Sequence, residues 1–264
     1  MNSNPQDGTS VKKYGLAFHT ATPELGLAIS NFVGDSRCQT WNLGRSLATD
    51  LHQHLVEFIG PQTWADLAFI AVAKGPGGFT GTRMGMVTAR TLAQQLDIPV
   101  FAISTLAAVA WAAPPQPPLA KGGLLSAEPP VAKGGLLNAE PPQPPLAKGG
   151  LLSAEPPLGK GGLLREDMAL QMPAQRGQLF GAVYSVNKDS GLTELFPDTV
   201  MTPESWQEKL ESWENSYQLI EVGSELGWSV SSVLELAYLE WKQGSRPDWS
   251  GALPYYGQHP VKGH

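Results

Sequence analysis

Glycine is concentrated in one stretch of the chain, AVAKGPGGFTGTRMGMVTAR at residues 71–90. The stretch follows an apolar run and precedes residues with helical spacing, so it predicts a strand, a glycine-rich turn and a helix. Such a turn brings several backbone N–H groups to a helix N-terminus, where they can bind a phosphate or another anion. The chemistry that this stretch suggests first is therefore anion binding.

The two common nucleotide-binding patterns do not fit this turn. The P-loop pattern requires a second glycine five positions after Gly75, followed by Lys and Ser or Thr, but that position is Thr80 and no such pair follows. The dinucleotide pattern fits Gly75 and Gly77 but again finds Thr80 at its third glycine. Thr80 is instead a plausible N-cap for the predicted helix.

The second half of the stretch has a different regularity. Gly81, Gly85, Ala89 and Ala93 recur every four residues and would form a stripe of small side chains along one helix face. Glycine inside a helix costs about 1 kcal/mol relative to alanine, so two glycines indicate close approach of another backbone. That neighbour can lie within the same protein or in another chain, and the flexible Met84 beside the stripe would add contact surface.

Other residues that could perform chemistry are few. His52 and His54 are two positions apart in a predicted helix, so they point about 200° away from each other. Val56, four residues after His52, offers no metal ligand, and Cys38 is the only cysteine. The sequence therefore predicts no metal site, and it contains no Ser/His/Asp arrangement typical of a hydrolase.

Composition restricts the class of protein further. The net charge of −6 lacks the basic excess that direct binding to nucleic acid requires. The polar N-terminus has no signal-peptide pattern, and the longest apolar stretch, residues 101–113, is too short to span a bilayer. A single thiol fits a reducing compartment, so we expect a cytoplasmic protein with no membrane partner.

A repeat interrupts the middle of the chain. The motif KGGLL begins at Lys121, Lys133, Lys148 and Lys160, within units that resemble PPLAKGGLLSAE. Paired prolines and glycines prevent long helices or strands, and each unit has little apolar surface to bury. We predict that residues 114–165 are a disordered insertion of low complexity.

Outside the insertion, the apolar patterns alternate between strand and helix and predict an α/β fold with mixed sheets. We divide the chain into a disordered N-terminus at 1–12, an N-terminal lobe at 13–113, the insertion at 114–165 and a C-terminal lobe at 166–264. In the N-terminal lobe we predict three strands, a helix at 46–59, a strand, a helix at 80–96, a strand and a further helix.

Several of these segments resemble one family. AKGPGGFTGTRMG is similar to the G-P-G-S-F-T-G-x-R-x-G signature of the TsaB (YeaZ) family. LAFHTATPELGLAI is similar to the hairpin that opens the family's sequences, PAQRGQLFGAVY to its D-A-R-x-G-E-V-Y turn, and LPYYGQ to its closing P-x-Y-x-R. The four segments occur in the family's order and span most of the chain outside the insertion.

The resemblance implies a fold, a function and partners. The fold would be the actin-like, Hsp70-like (ribonuclease-H-like) ATPase fold with two α/β lobes. The protein would be a non-catalytic subunit of the machinery that makes tRNA threonylcarbamoyladenosine. It would pair with its catalytic paralogue TsaD, be joined by the ATPase TsaE, and meet tRNA only through the complex. The chain alone could form a homodimer.

The resemblance also implies an interface and a site that has lost its chemistry. The interface with TsaD would use the helices at 46–59 and 80–96, with the residues Leu47, Leu51, Leu55, Gly81, Arg83, Met84, Gly85, Thr88, Ala89 and Ala93. A vestigial nucleotide or anion loop would comprise His19, Thr20, Gly75, Gly77, Gly78 and Thr80. We expect no firmly bound cofactor, with ATP binding only within the complex.

Departures from the family pattern favour loss of catalysis. His19 stands where the family has an aspartate, Pro173 replaces the aspartate of the D-A-R turn, and the closing arginine is missing. The alternative is an ATP-binding phosphotransferase or ATPase of the same fold, which His19 disfavours. The superfamily's metallopeptidase label gives a third reading, but no metal or nucleophile arrangement in the sequence supports it.

Overall fold

The computed structural model describes residues 13–113, 124–127, 167–187 and 191–257, with only the backbone described for 124–127. The predicted disordered N-terminus and most of the predicted insertion lie outside these residues. Within the described ranges, no helix has the length and apolar character needed to cross a membrane.

The first sheet has five strands in the order β3-β2-β1-β4-β5. Its strands are Tyr14–His19 (β1), Glu24–Ser30 (β2), Ser36–Asn42 (β3), Leu67–Ala73 (β4) and Val100–Ile103 (β5). β1, β2 and β3 are antiparallel neighbours, whereas β1, β4 and β5 run parallel. β4 reads as a continuous apolar run because helices cover both faces of its part of the sheet.

Two helices cover one face of this sheet, Leu47–Ile59 (α1) and Phe79–Leu96 (α2). Their apolar side chains form one buried cluster with Leu16 and Phe18 of β1 and with Ile70 of β4. The helical and strand periods of the sequence thus meet in the same core, as predicted. α2 ends at Asp97, which adopts the left-handed conformation (φ 52°) typical of a helix C-terminus.

The second sheet has the order β6-β10-β7-β8-β9. Its strands are Leu124–Ala127 (β6), Asp167–Pro173 (β7), Leu179–Asn187 (β8), Gly191–Met201 (β9) and Tyr217–Val222 (β10). β7, β8 and β9 are antiparallel, and β6, β10 and β7 are parallel. The second sheet therefore repeats the arrangement of the first, with β6 in the position that β5 has there.

Two strands of the second sheet differ from the prediction. β6 comes from the first repeat of the insertion, where we predicted no regular structure; its backbone pairs in parallel with β10 at the sheet edge. β9 was not predicted because Pro197 interrupts its pattern. The register of β8 and β9 is irregular opposite Pro197, and there the missing N–H breaks no regular ladder.

Two helices lie between the sheets, Thr105–Ala112 (α3) and Val230–Lys242 (α5), while Pro203–Glu211 (α4) covers the outer face of the second sheet. α3 is buried all round, consistent with its uniformly apolar sequence. α5 packs Val233, Leu234 and Ala237 into a cluster that includes Ala17 and Phe69 of the first sheet. The boundary predicted at residue 166 is therefore incomplete, because α5 returns to the N-terminal lobe.

Candidate functional site

A cavity of about 1280 Å³ lies in the cleft between the two lobes. The N-terminal lobe contributes the turn after β1, the residues before α1, and the glycine turn with the start of α2. The C-terminal lobe contributes the turn between β7 and β8 and the residues after β10. Three segments that carry the family resemblance thus meet at one place: the opening hairpin, the glycine signature and the PAQRG turn.

Gly75, Gly77 and Gly78 are needed for close packing within the chain. Gly75 has φ 99°, and a Cβ there would overlap the carbonyl oxygen of Tyr255. A Cβ on Gly77 would overlap the carbonyl oxygen of Ala21. The N–H of Gly78 already donates to the same Ala21 oxygen at 2.7 Å. The space where such a turn would hold a phosphate is therefore partly filled by the turn after β1.

The small-residue stripe of α2 also faces inward. A Cβ on Gly81 would overlap the carbonyl oxygen of Thr20, and a Cβ on Gly85 would overlap Oγ1 of Thr20. Ala89 and Ala93 are fully buried in the core of the first lobe. The prediction that this stripe forms a docking surface for another chain is therefore wrong; the alternative of a neighbour within the same protein is correct.

Burial corrects most of the remaining predicted interface. Leu47, Leu51 and Leu55 are core residues of α1, and Thr88 is buried on α2. An amphipathic helix turns its regularly spaced apolar residues to its own core, so this spacing cannot mark an outer surface. Of the predicted set, Arg83 is exposed and Met84 and Gly81 are half-buried.

The outer faces of α1 and α2 carry exposed apolar residues that the stripe argument missed. Val56 on α1 is 63% exposed, Val87 on α2 is 54% exposed, and Phe79 at the start of α2 is 45% exposed. Their sequence signal was weak, because each valine stands outside the apolar period of its helix.

His19 is buried rather than placed in the cleft. Its side chain is fully buried, and neither ring nitrogen has a hydrogen-bond partner among the described residues. Burial lowers the pKa of His19 to about 4, so the imidazole is neutral near pH 7. A neutral, unpartnered ring outside the cavity lining cannot replace a phosphate-coordinating carboxylate.

Two further predicted roles have clear outcomes. Gly78, not Thr80, is the N-cap of α2, and no side chain caps this helix; Thr80 lies exposed in its first turn. His52 is exposed, while the His54 ring lies against Trp41 with a centroid distance of 4.5 Å. No three His, Cys, Asp or Glu side chains of the described ranges converge as a metal site would require.

Sequence reasoning missed three polar residues of the cleft. Arg45 lines it from the first lobe and Arg176 from the second, and Thr22 lines it beside the glycine turn. Arg176 adopts φ 59° and precedes Gly177 at φ 69°, so the β7–β8 turn is a tight left-handed turn that holds the arginine at the cleft. The PAQRG segment signalled a turn there, but nothing in the sequence paired Arg176 with Arg45.

A hydrogen-bonded cluster joins the lobes near the cleft. The Tyr184 hydroxyl donates to Oδ1 of Asp198 at 2.8 Å and lies 3.3 Å from Oγ of Ser104 at the start of α3. The Tyr255 hydroxyl donates to the backbone carbonyl of Asp198. Burial raises the pKa of Asp198, an effect that its hydrogen bonds and nearby Lys74 oppose; burial, with the nearby Asp198 charge, raises the pKa of Tyr255 to about 12.

Comparison with known proteins follows the same segments. The family model for "TsaD: tRNA N6-adenosine threonylcarbamoyltransferase" matches residues 57–126, which include the glycine turn and α2. The chain is 56% identical over 45 residues to the TsaB protein of Bacillus subtilis, and 48% identical over 48 residues to that of Buchnera aphidicola. These segments cover 17% and 18% of this chain, and about a fifth of the length of those relatives (20% and 23%).

The structural comparison covers far more of the chain. The structure of YeaZ from Pseudomonas aeruginosa aligns with 92% of this chain and 100% of its own, with a TM-score of 0.61 and 18% identity. Together with the two related mixed sheets and the cleft between them, this likeness defines a two-lobed α/β protein of the actin-like, ribonuclease-H-like class. With the sequence matches at the glycine turn, the chain belongs to the TsaB (YeaZ) family.

Proposed function

We propose that the chain is a non-catalytic subunit of the machinery that makes tRNA threonylcarbamoyladenosine, and that it activates a TsaD-type partner by forming a heterodimer with it. The observation that carries the proposal is the 56% identity to a protein named for threonylcarbamoyladenosine biosynthesis, together with the shared fold. In the proposed complex TsaE is a further component, and tRNA is contacted chiefly by the other subunits, in keeping with the net charge of −6.

The lack of catalysis is supported by the cleft. Of the residues that would face a metal–nucleotide complex, the aspartate positions hold His19 and Pro173, and the glycine turn is filled by Ala21. ATP with its metal therefore does not fit the glycine turn in the way that an ATPase of this fold requires. Loss of the carboxylates removes the groups that would position a metal-bound water.

The proposed partner surface is the outer face of α1 and α2. Val56 and Val87 supply exposed apolar area on two neighbouring helices, with Arg83 and Met84 beside them. Exposed apolar residues of this kind are a common feature of protein interfaces, whose centres are rich in apolar and arginine side chains. Without its partner, the same face would pair with a second copy of the chain.

Co-expression of the full chain with a TsaD-type protein from the same organism tests this proposal. We expect a stable 1:1 complex on size-exclusion chromatography with light scattering, and threonylcarbamoyl transfer to tRNA that depends on both proteins. Failure to co-purify, with both proteins folded, would contradict the proposal.

The alternative, an ATP-binding phosphotransferase or ATPase, is favoured only by the size of the cleft. Calorimetry with Mg-ATP and a phosphate-release assay on the chain alone distinguish the two functions. Micromolar binding accompanied by turnover would replace the non-catalytic assignment.

A further inference from the structure

Two arginines line the cleft from opposite lobes. Arg45 lies in the short turn before α1, and Arg176 lies in the β7–β8 turn. Neither side chain has a hydrogen bond or ion pair with another described residue, and both residues are exposed. Guanidinium groups are weakly hydrated and present several donors in a fixed plane, which suits them to bind carboxylate or phosphate oxygens.

The cleft offers these arginines no counter-ion. Among the described residues that line it, there is no aspartate or glutamate. The local charge is therefore positive, although the chain as a whole carries −6. A positive cleft in an acidic protein concentrates anions selectively at that place.

Two neutral groups reinforce the preference for an anion. Thr22 is 8% exposed and lines the cleft, and its Oγ1 has no hydrogen-bond partner among the described residues. A buried hydroxyl without a partner is costly, and a bound oxygen would satisfy it. The first turn of α2, an 18-residue helix with no side-chain cap, also lines the cleft at Phe79, Thr80 and Gly81 and adds the positive end of its dipole.

We propose that the cleft binds a diphosphate group without a metal ion, held by Arg45 and Arg176 from the two lobes and by Thr22. Two cations on opposite walls match two linked phosphates better than a single small anion. A lining without carboxylates cannot hold a divalent cation beside the phosphates. The anion lies between the arginines and not in the glycine turn, because Ala21 occupies that turn.

The same chemistry has two possible sources, inorganic pyrophosphate and the diphosphate of a nucleotide. Met172, Phe180 and Val222 supply an apolar wall of the cleft on the C-terminal side. A nucleoside diphosphate would place its base against this wall and bind more tightly than pyrophosphate. Equal affinities would identify the diphosphate alone as the recognised group.

Calorimetry on the full chain alone tests the site with pyrophosphate and ADP, each with EDTA and with excess Mg²⁺. We expect 1:1 binding in EDTA and weaker binding with Mg²⁺, because the metal neutralises the charge that the arginines recognise. Arg45→Gln and Arg176→Gln should each raise the Kd about tenfold or more. Lys242→Gln, an exposed charge on α5 away from the cleft, is the control and should leave the Kd unchanged.

Three results would overturn the site: no binding at millimolar ligand, binding that requires Mg²⁺, or equal weakening by Lys242→Gln and the arginine variants. Circular dichroism of each variant separates loss of the site from loss of the fold. The test uses no partner protein, so its outcome is independent of whether the chain pairs with a TsaD-type subunit.

Discussion

Thr20 holds the turn after β1 against the start of α2: its Oγ1 donates to the carbonyl oxygen of Gly81 at 2.8 Å. The same oxygen atom occupies the space that a side chain at Gly85 would need. The two glycines are thus explained by one threonine of the same chain. The phosphate-loop geometry of the ancestral fold has become a packing contact between two loops of one lobe.

Gly85→Ala should therefore destabilise the protein by about 1–3 kcal/mol, because the new Cβ overlaps a buried hydroxyl that is fixed by a hydrogen bond. Urea denaturation followed by circular dichroism measures the free energy of unfolding. Adding Thr20→Ala removes the overlapping Oγ1, so the double variant should be more stable than the sum of the two single effects predicts.

Gly223→Ala is the matched control, because no atom lies within 4 Å of a Cβ at that position and its backbone does not require glycine. We expect a change within about 0.5 kcal/mol. If Gly85→Ala behaved like this control, the contact between Thr20 and α2 would not determine the choice of glycine.

The pH dependence of stability should reveal His19. Its pKa is about 4 in the folded protein, against an ordinary value of 6.5, so the unfolded chain binds more protons between these values. Stability is therefore lost as the pH falls from about 6.5 to about 4, by an amount on the order of 3 kcal/mol from this residue.

Unfolding free energies of the parent protein and of His19→Leu between pH 7 and pH 4 test this prediction. The variant should lose less stability over that interval, whatever its stability at pH 7. His52→Leu changes an exposed histidine of α1 and should keep the parent's pH profile. Parallel profiles for the parent and His19→Leu would show that His19 does not titrate as a buried neutral ring.

The proposed interface can be separated from the fold by surface variants. Val56→Asp places a charge on the exposed outer face of α1 and should weaken the complex with a TsaD-type partner about tenfold or more. Its effect on the free energy of unfolding should stay within about 0.5 kcal/mol. Surface plasmon resonance and urea denaturation measure the two effects.

Val33→Asp is the control for that experiment, since Val33 is 85% exposed in the β2–β3 turn and lies outside the proposed surface. It should leave partner affinity unchanged. Equal loss of affinity in both variants, or in neither, would place the interface elsewhere.

The sequence predicted the strands and helices of the first lobe well, because apolar periods of about 2 and 3.6 residues are set by burial in each element. The same periods cannot tell an inner from an outer helix face. Leu47, Leu51 and Leu55 are regularly spaced because they fill the core, and that regularity led to their wrong placement at an interface. The exposed Val56 had no such signal.

Contacts between distant segments were the other limit of the sequence. Arg45 and Arg176 are 131 positions apart and meet only because two sheets enclose one cleft. β9 was hidden by Pro197, which is tolerated where the register of β8 and β9 is irregular. Its loss from the prediction also removed Asp198, and with it the cluster that joins the lobes.

That cluster supports a last prediction. Tyr184→Phe removes the donor to Asp198 at 2.8 Å and should lower the free energy of unfolding by about 1–3 kcal/mol at pH 7, since a buried carboxylate loses a hydrogen bond. The bond favours the ionised carboxylate, so its removal raises the pKa of Asp198 further. The loss should therefore shrink as the pH falls and Asp198 becomes protonated in both proteins. Tyr217→Phe, a half-buried tyrosine of β10, should show neither the loss nor this pH dependence. A loss in Tyr184→Phe that is equal at pH 7 and at pH 4 would mean that the hydroxyl contributes by packing and not through the Asp198 carboxylate.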